Sequence, residues 1–494
     1  MRTSRCISIT LMLILGLLSM NLSVAKEPPD KADIILLDGT IIEVTDADLL
    51  THLAMGALED FNPRDQQTVL SDPADLGEGI EIIRYHFDNI NDEYVPFDHL
   101  RYYPSPTVGP GYVYYQGPVF SATPDDGEWY RAKSQGSATV GRILRDYRSQ
   151  QIDSVVLSGH TSAVTNAVWS PDSQMIATSA GNWDSTDFGV RLWSKDGTLL
   201  TTFDNVAPVG SLDWSPDGST LALGAFNQTV QFWTTDGTLL QTIETAPRIP
   251  MSIDWSPDGT KLAVALLGGA RDNTIQIWSA DGELLHNLPT QYSGGKFLNV
   301  GWSPDGQYLA GGAIDYKAWT ADGVEVVTHE SCEFCTPAWG FAWSPDSSKW
   351  AIGNESGQVW VYGADGTLIA ELSNEGNVDN LAWSPDSTML AGGSSIWEWT
   401  GERFAQRTGM SSSRSGLAWS PDSHFIATAG ENQSNVRLWD TQGEFLAILN
   451  DHTFHIWSLA WSPDGSLLAS TSGDKTVRLW NMERLQAVVA AAPP

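Results

Sequence analysis

Two cysteines separated by two residues, Cys332 and Cys335, are the sharpest chemical feature of this chain. In an oxidising compartment that spacing closes a local disulfide clamping a loop. Thiol exchange is the alternative, but it needs a strand and helix context that HESCEFCTPAWGF does not supply. A four-thiolate zinc site would require a second pair, and the third cysteine, Cys6, is far away. His329 is the neighbouring side chain that would join the pair at a transition metal. Asp213 and Asp254 come next: each immediately precedes a tryptophan in adjacent copies of one motif, which makes them candidates for cation or sugar contact in a channel. The acidic loops RDN and GNWDSTDFG suggest calcium but do not complete an EF-hand ligand set, and no cofactor is predicted. No HExxH, nucleophile elbow, P-loop or dinucleotide fingerprint occurs in a fitting context. Paired glycosidase carboxylates need a cleft and a defined separation, which spacing alone does not give.

The elements that must position these residues are repeats. Trp169, Trp214, Trp255, Trp302, Trp343, Trp383, Trp419 and Trp461 each begin Trp-Ser-Pro-Asp, at intervals of 45, 41, 47, 41, 40, 36 and 42 residues. Such periods belong to propeller blades. The proline presets φ as a turn begins, the Asp and Ser bond to local amides, and Gly218, Gly259, Gly306 or Gly465 accepts left-handed geometry. Each unit reads as strand, turn, strand, turn, strand, followed by an apolar strand such as TLLTTF or EFLAIL. The opening tryptophan and a closing aromatic fill the space between units: Trp193, Trp233, Trp278, Trp319, Tyr362, Trp399, Trp439 and Trp480.

These paired motifs resemble the WD40-repeat β-propeller family over residues 152 to 490, in a divergent form expected to be bacterial and exported. The resemblance implies an all-β, eight-bladed propeller of four-stranded antiparallel blades. It also implies a buried polar network in the last repeat made of His452, Ser472, Asp474 and Trp480. The first repeat keeps Gly159-His160 and Trp193 around a longer loop, while most middle repeats lack the His and the turn Asp. Ring closure requires an outer strand for the eighth blade, expected from DSVVLSGH at 153–160. The C-terminal ERLQAVVAAAPP is the alternative, and seven blades with an irregular flanking unit is the structural one.

The remaining segments fall into two domains before the propeller at 151–494. Residues 1–25 read as a signal peptide: Arg2 and Arg5 precede ISITLMLILGLL, and Ser23-Val24-Ala25 offers a cleavage site. An uncleaved anchor is the alternative, although the run is shorter than the roughly 20 residues a span needs. The mature protein is expected in the periplasm or outside the cell, without stable membrane anchoring. Residues 26–150 read as a small α+β domain. Its strands are IILLDGTIIEV around Asp38-Gly39, GIEIIRYHF and YVYYQGPVF, and its helices DLLTHLAMGALEDF and SATVGRILRDYRSQQ.

Sixty acidic against 27 basic residues give a net charge of −33, which opposes nucleic acid and anionic membranes and favours cationic partners. The loops between blades are less uniform than the Ser-Pro-Asp turns, and they offer Met251, Phe297, Trp339, Met410, Phe454 and Trp457 as apolar anchors on one rim. The leading expectation is a non-catalytic scaffold whose partner is another protein, in an envelope or extracellular complex. A glycan-active hydrolase or lyase, and a small ligand or sugar held in the channel, are the alternatives.

Overall fold

Every Trp-Ser-Pro-Asp copy folds into the same turn in the computed structural model. The serine hydroxyl donates to the aspartate two residues on, at 2.6 Å in Ser170, Ser215 and Ser462. It also accepts the backbone N–H five residues on, at 2.9 Å from Met175 and Thr220. The aspartate accepts a further N–H, so the turn's polar groups are satisfied internally and the next strand starts in a fixed register. The residue after the aspartate is left-handed in all eight copies: Gly218, Gly259, Gly306 and Gly465, but also Ser173, Ser347, Ser387 and Ser423 at φ 60–63°. A serine there is strained, and a bond between repeats offsets the strain. Each of these four hydroxyls accepts the N–H of the aspartate in the preceding repeat, at 2.9 to 3.1 Å.

The structure describes residues 152–180, 187–203, 207–268, 273–290, 299–312, 316–329, 338–374, 376–408, 410, 416–429 and 434–483, with the backbone of six earlier strands. Those strands are β1 (Lys31–Ile35), β2 (Ile41–Val44), β3 (Ile80–Asp88), β4 (Glu93–Tyr103), β5 (Tyr112–Tyr115) and β6 (Trp129–Arg131). They form one antiparallel sheet in the order β2-β1-β3-β4-β5-β6. The signal peptide of 1–25 and both expected helices lie outside the described residues. Contacts divide the chain into Met1–Arg142 with Pro493–Pro494, and Ile143–Ala492.

From residue 166 onward seven consecutive sheets follow, each of four antiparallel strands in chain order, at 166–203, 209–244, 249–289, 299–329, 338–373, 381–408 and 416–449. The eighth is composite. Three strands at 456–481 are completed by β7 (Ser154–Ser158), which pairs along Thr476–Trp480 from Thr476↔Ser158 to Trp480↔Ser154. The ring is therefore closed by the segment before blade 1, not by the C-terminus, and the fold is an eight-bladed β-propeller. Each inner strand touches the next around the ring, that of blade 8 meeting that of blade 1.

Indoles wedge the blades together. Thirteen of the sixteen expected aromatic positions are buried, and Trp480 is 2 % exposed. At about 25 cal/mol per Å², each such ring removes roughly 4–6 kcal/mol worth of surface from water. Blade 6 differs from expectation. There Trp383 pairs with Leu390, and Leu390 pairs with Trp397. In blade 1 the same path runs Trp169, Ile176, Trp193. The closing aromatic of blade 6 is thus Trp397, 1 % exposed, and Trp399 lies two residues beyond it against Phe404 at 4.8 Å. A shorter hairpin moves the register by two residues, which keeps side chains on the same face and hides the shift from pattern reading.

Outer strands are the open edges of such a ring. In blades 1 to 5 and 7 the outer strand carries one extra residue opposite the closing aromatic: Leu200, Leu240, Leu285, Val326, Ile369 and Leu446. This bulge twists the edge and weakens it as a template for another strand.

Candidate interaction face and channel

The connection from blade 7 into blade 8 carries the expected anchor Phe454, the start of the inner strand that follows carries Trp457, and both are exposed, at 54 % and 38 %. His455 lies between them, its ring 4.5 Å from each. Three aromatic rings therefore stand in series where the loop meets the strand. The loop is held from below. Ser472 donates to the carbonyls of Phe454 and His455 at 3.0 Å, and the Gly473 N–H donates to His455 O at 2.9 Å. A Cβ at Gly473 would stand 2.4 Å from Phe454 Cδ1, so any side chain there would displace the Phe454 ring.

Ser472 was expected in the buried network of the last repeat, and the structure places Ser470 there. His452 Nδ1 donates to Asp474 at 2.8 Å, and its Nε2 accepts from the Ser470 hydroxyl, also at 2.8 Å. Ser470 in turn accepts the Trp480 indole N–H at 2.9 Å. Trp480 sits opposite Leu468, so Ser470 is two residues along the strand and Ser472 four. At about 3.3 Å per residue, the second hydroxyl lies beyond the indole's reach. Burial lowers the His452 pKa and keeps the ring neutral, with the Asp474 bond opposing. Burial would raise Asp474, but hydrogen bonds from Thr476 and His452 outweigh it and hold the carboxyl below its usual range.

Blade 1 contains a second complete network. His160 meets Asp187 at 3.1 Å and Thr178 at 2.9 Å, and Trp193 donates to Thr178 at 2.9 Å. Asp187 comes from the long loop GNWDSTDFG, so its offset conceals it from a fixed-spacing search. Its neighbour Phe188 is 48 % exposed, a large surface ring that sequence reasoning missed and for which the loop's length was the one signal.

Other expected anchors have different placements. Met410 is 5 % exposed and packs with Ile396, Trp419 and Trp439, so it is inter-blade core instead of a surface contact. Met251 is half-buried against Ile275 and Val300. Trp339 lies in the inner strand Ala338–Trp343 of blade 5. Phe297, Cys332 and Cys335 fall outside the described residues, as does the side chain of Trp339. His329 bonds through Nδ1 to the Tyr362 hydroxyl and packs on Trp360 at 4.6 Å.

Asp213 and Asp254 sit on inner strands, and each bonds across to the next blade. At six of the eight junctions the opening indole N–H donates to the backbone carbonyl just before the tryptophan of the preceding blade, as from Trp214 to Val168 at 3.2 Å. The two exceptions are Trp255 and Trp302, whose buried indole nitrogens have no acceptor among the described residues. These are the junctions where the preceding residue is aspartate. Asp213 accepts the backbone N–H of Trp255 at 2.7 Å, and Asp254 accepts that of Trp302 at 2.6 Å. Desolvation between the sheets pushes Asp213 up to about 7, against the pull of the Trp255 and Trp214 amides. Asp254 is raised well above the usual range by burial and then by the charge of Asp213.

Among the described residues no three His, Cys, Asp or Glu side chains converge as a metal-binding group. The calcium candidates RDN and GNWDSTDFG lie largely outside those residues. No described helix is long and apolar enough to cross a membrane.

Comparison with known proteins agrees with the geometry. Residues 251–481 match the family model described as IFT122 first beta-propeller, and residues 144–300 match that of eukaryotic translation initiation factor eIF2A. An uncharacterized WD repeat-containing protein of Synechocystis sp. is 31 % identical over 105 residues, 21 % of this chain and 28 % of that protein. The intraflagellar transport protein 80 homolog of Mus musculus is 24 % identical over 239 residues, covering 48 % of this chain and 24 % of that protein. The chain thus matches only about a quarter of the length of these relatives. The crystal structure of Sqt1 from Chaetomium thermophilum superposes with a TM-score of 0.57 over 66 % of this chain and 98 % of Sqt1, at 18 % identity, a likeness of fold. Repeat motif, blade topology and these matches together support a place for the chain among the WD-repeat β-propellers.

Proposed function

We propose that this protein is an exported, non-catalytic interaction scaffold that binds a protein partner through the loop-rich rim around Phe454 and Trp457. The observation that carries the reading is the series Phe454, His455, Trp457: two large rings left exposed where the loop held by Ser472 and Gly473 enters the inner strand of blade 8. Exposed aromatics on a rigid support lose little conformational freedom on binding and make strong anchors. The propeller fold and the likeness to WD-repeat and intraflagellar transport proteins support an interaction role. The leader at 1–25 and the acidic charge support a partner met outside the cytoplasm, in an envelope or extracellular complex, and presenting basic groups.

The test is a pull-down from envelope and secreted fractions with the exported chain, whose mass is expected to begin at Lys26. Phe454→Ser with Trp457→Ser is expected to lose a reproducible partner while thermal unfolding is unchanged. Undiminished capture by that folded variant refutes the assigned face.

A further inference from the structure

We propose that the outer strands of blades 1, 2 and 3 form one docking surface for a basic amphipathic helix of a partner protein. Each of these strands opens on a leucine pair: Leu199 with Leu200, Leu239 with Leu240, and Leu284 with Leu285. All six side chains are exposed, at 41 % to 56 %. Single surface leucines are ordinary, but the same exposed pair on three consecutive blades is a patch that asks for a cover. The surface lies on the outer edges of these blades, apart from Phe454 between blades 7 and 8, and does not rest on the scaffold reading.

Local geometry makes each pair available. In a regular strand alternate residues turn to opposite faces, so one leucine of a neighbouring pair would point inward. Here a bulge sets two leucines opposite a single tryptophan, Trp193, Trp233 or Trp278, and both stay exposed. Contacts between blades then string the pairs together. The Asp-Gly turn of each following blade lies on the outer strand of the one before: a Cβ at Gly237 would stand 2.9 Å from Thr201 Cγ2, and one at Gly282 would stand 1.7 Å from Gln241 Nε2. Gln241 Nε2 also donates to Asp281 O at 3.0 Å. Leucine pairs and the exposed Asp236 and Asp281 therefore alternate around the arc, with Asp196 starting the series. The arc stops at blade 4, where the pair becomes Glu325 with Val326 and Glu325 is bonded to Lys317 at 2.8 Å. At the same position in blade 7, Leu446 is buried in a core that includes Ile152, from the segment leading into β7. The position thus takes an apolar cover where the chain itself supplies one.

Charge and edge chemistry select the occupant. Residues 196–203, 236–244 and 281–289 hold Asp196, Asp236, Glu244, Asp281 and Glu283 and no Lys or Arg. Lys195, one residue earlier, acts on Asp464 of blade 8. An apolar arc set among carboxylates fits a segment with apolar side chains along one face and basic ones beside it. It disfavours an anionic membrane, and equally a second copy of a chain that carries −33. The bulges favour a helix over a strand. They interrupt the ladder that an added strand would extend, so a partner meets side chains, which is how an amphipathic helix binds.

The experiment is calorimetric titration of the full chain with a synthetic helix of about five turns, carrying leucine on one face and lysine on the other. Saturation below about 50 μM is expected, with the same composition in scrambled order binding at least about tenfold more weakly and a helix of leucine and glutamate not binding. Leu200→Ser with Leu240→Ser and Leu285→Ser is expected to weaken binding at least about tenfold with thermal unfolding unaltered, because these side chains already face water. Should that variant melt early, Asp196→Asn with Asp236→Asn and Asp281→Asn decides: its binding is expected to weaken at low salt and to lose most of its salt dependence. Phe454→Ser with Trp457→Ser is expected to leave the affinity unchanged, which separates this surface from the loop-rich rim. Undiminished binding by the leucine variant, equal binding of the scrambled peptide, or binding of the leucine and glutamate helix would each overturn the proposal. So would leucine-dependent capture by neutral phosphatidylcholine vesicles, or a leucine-dependent dimer in sedimentation, since either would name a different occupant.

Discussion

Replacing Asp213 by asparagine is expected to stabilise the propeller at alkaline pH and to do nothing at acid pH. The carboxyl lies on the inner strand of blade 2 and accepts the Trp255 N–H at 2.7 Å, a bond that an asparagine carbonyl preserves. What the substitution removes is the penalty of ionising the group between sheets. Its proton is held more tightly in the folded protein, to about 7, than in the unfolded chain, where a carboxyl titrates near 3.8. A raised folded pKa gives stability that is fully present below the unfolded value and lost as pH rises through the folded one. The difference is about three units, or about 4 kcal/mol at 1.36 kcal/mol per unit, as an upper bound before the site relaxes. With roughly 2 cal/mol/K of unfolding entropy per residue over about 340 residues, 1 kcal/mol moves Tm by about 1.4 °C. Asp213→Asn should therefore raise Tm by about 3–5 °C at pH 8.5 and by less than about 1 °C at pH 4. Thermal unfolding of the full chain across pH 4 to 8.5 measures this directly. A gain that does not vary with pH, or a loss at pH 8.5, would refute the idea that Asp213 is held protonated by burial.

Three further outcomes follow from the packing. Trp397→Ala should cost about 3–5 kcal/mol and Trp399→Ala less than about 1.5, in denaturant melts, since only the first belongs to the buried core between blades 5 and 6; the reverse order would restore the expected register. Ser470→Ala should destabilise by about 2–4 kcal/mol, because it strands both His452 Nε2 and the Trp480 indole, whereas Ser472→Ala, which removes bonds to the Phe454 and His455 carbonyls and the Asp474 N–H, should cost about 1–2 kcal/mol and weaken partner capture through a loosened Phe454 loop. Ser347→Ala keeps the left-handed strain and loses the bond to Asp305, so it should cost about 1–2 kcal/mol, while Ser347→Gly should cost less because the strain goes with the bond; equal losses from the two would show that strain is not stored there.

The fold was legible because its determinants are local and repeated. A turn that fixes Ser, Pro and Asp in series, with aromatics at both ends of a hairpin, states blade number and strand order without knowledge of distant contacts. Even β7 was readable, since a ring with an odd edge must take its last strand from the other end of the chain. The candidate site was less legible. Trp397 and Ser470 were displaced by steps of two, and a period-two shift leaves the hydrophobic pattern intact. Met410 looks like a surface anchor in RTGMSSSRSG because a loop sequence does not record which residue turns inward. Asp187 was hidden by loop length. The bond each inner aspartate makes, and the indole it displaces, is a relation between residues 42 apart in one case and 48 in the other, and no local pattern encodes it.

The placement of the two complete histidine networks has a physical logic that bears on the candidate face. Blade 8 is the one sheet whose outer strand is not joined to its neighbour by a hairpin, so β7 must find its register without a turn to set it. Arg478 helps, donating to Ser154 and to Asp451 at 3.1 Å and so tying the outer strand to the loop before His452. The buried networks then flank this seam, one in blade 8 through His452 and Asp474, the other in blade 1 through His160 and Asp187. Such networks penalise mispairing more than they add to net stability, because a slipped strand leaves buried polar groups unpaired. Asp474 also accepts the Thr453 N–H at 3.0 Å, so the same carboxylate that sets the seam fixes the base of the Phe454 loop. The exposed rings are thus mounted on the most strongly specified junction of the propeller, and loosening the seam at Asp474 should cost partner binding before it unfolds the ring.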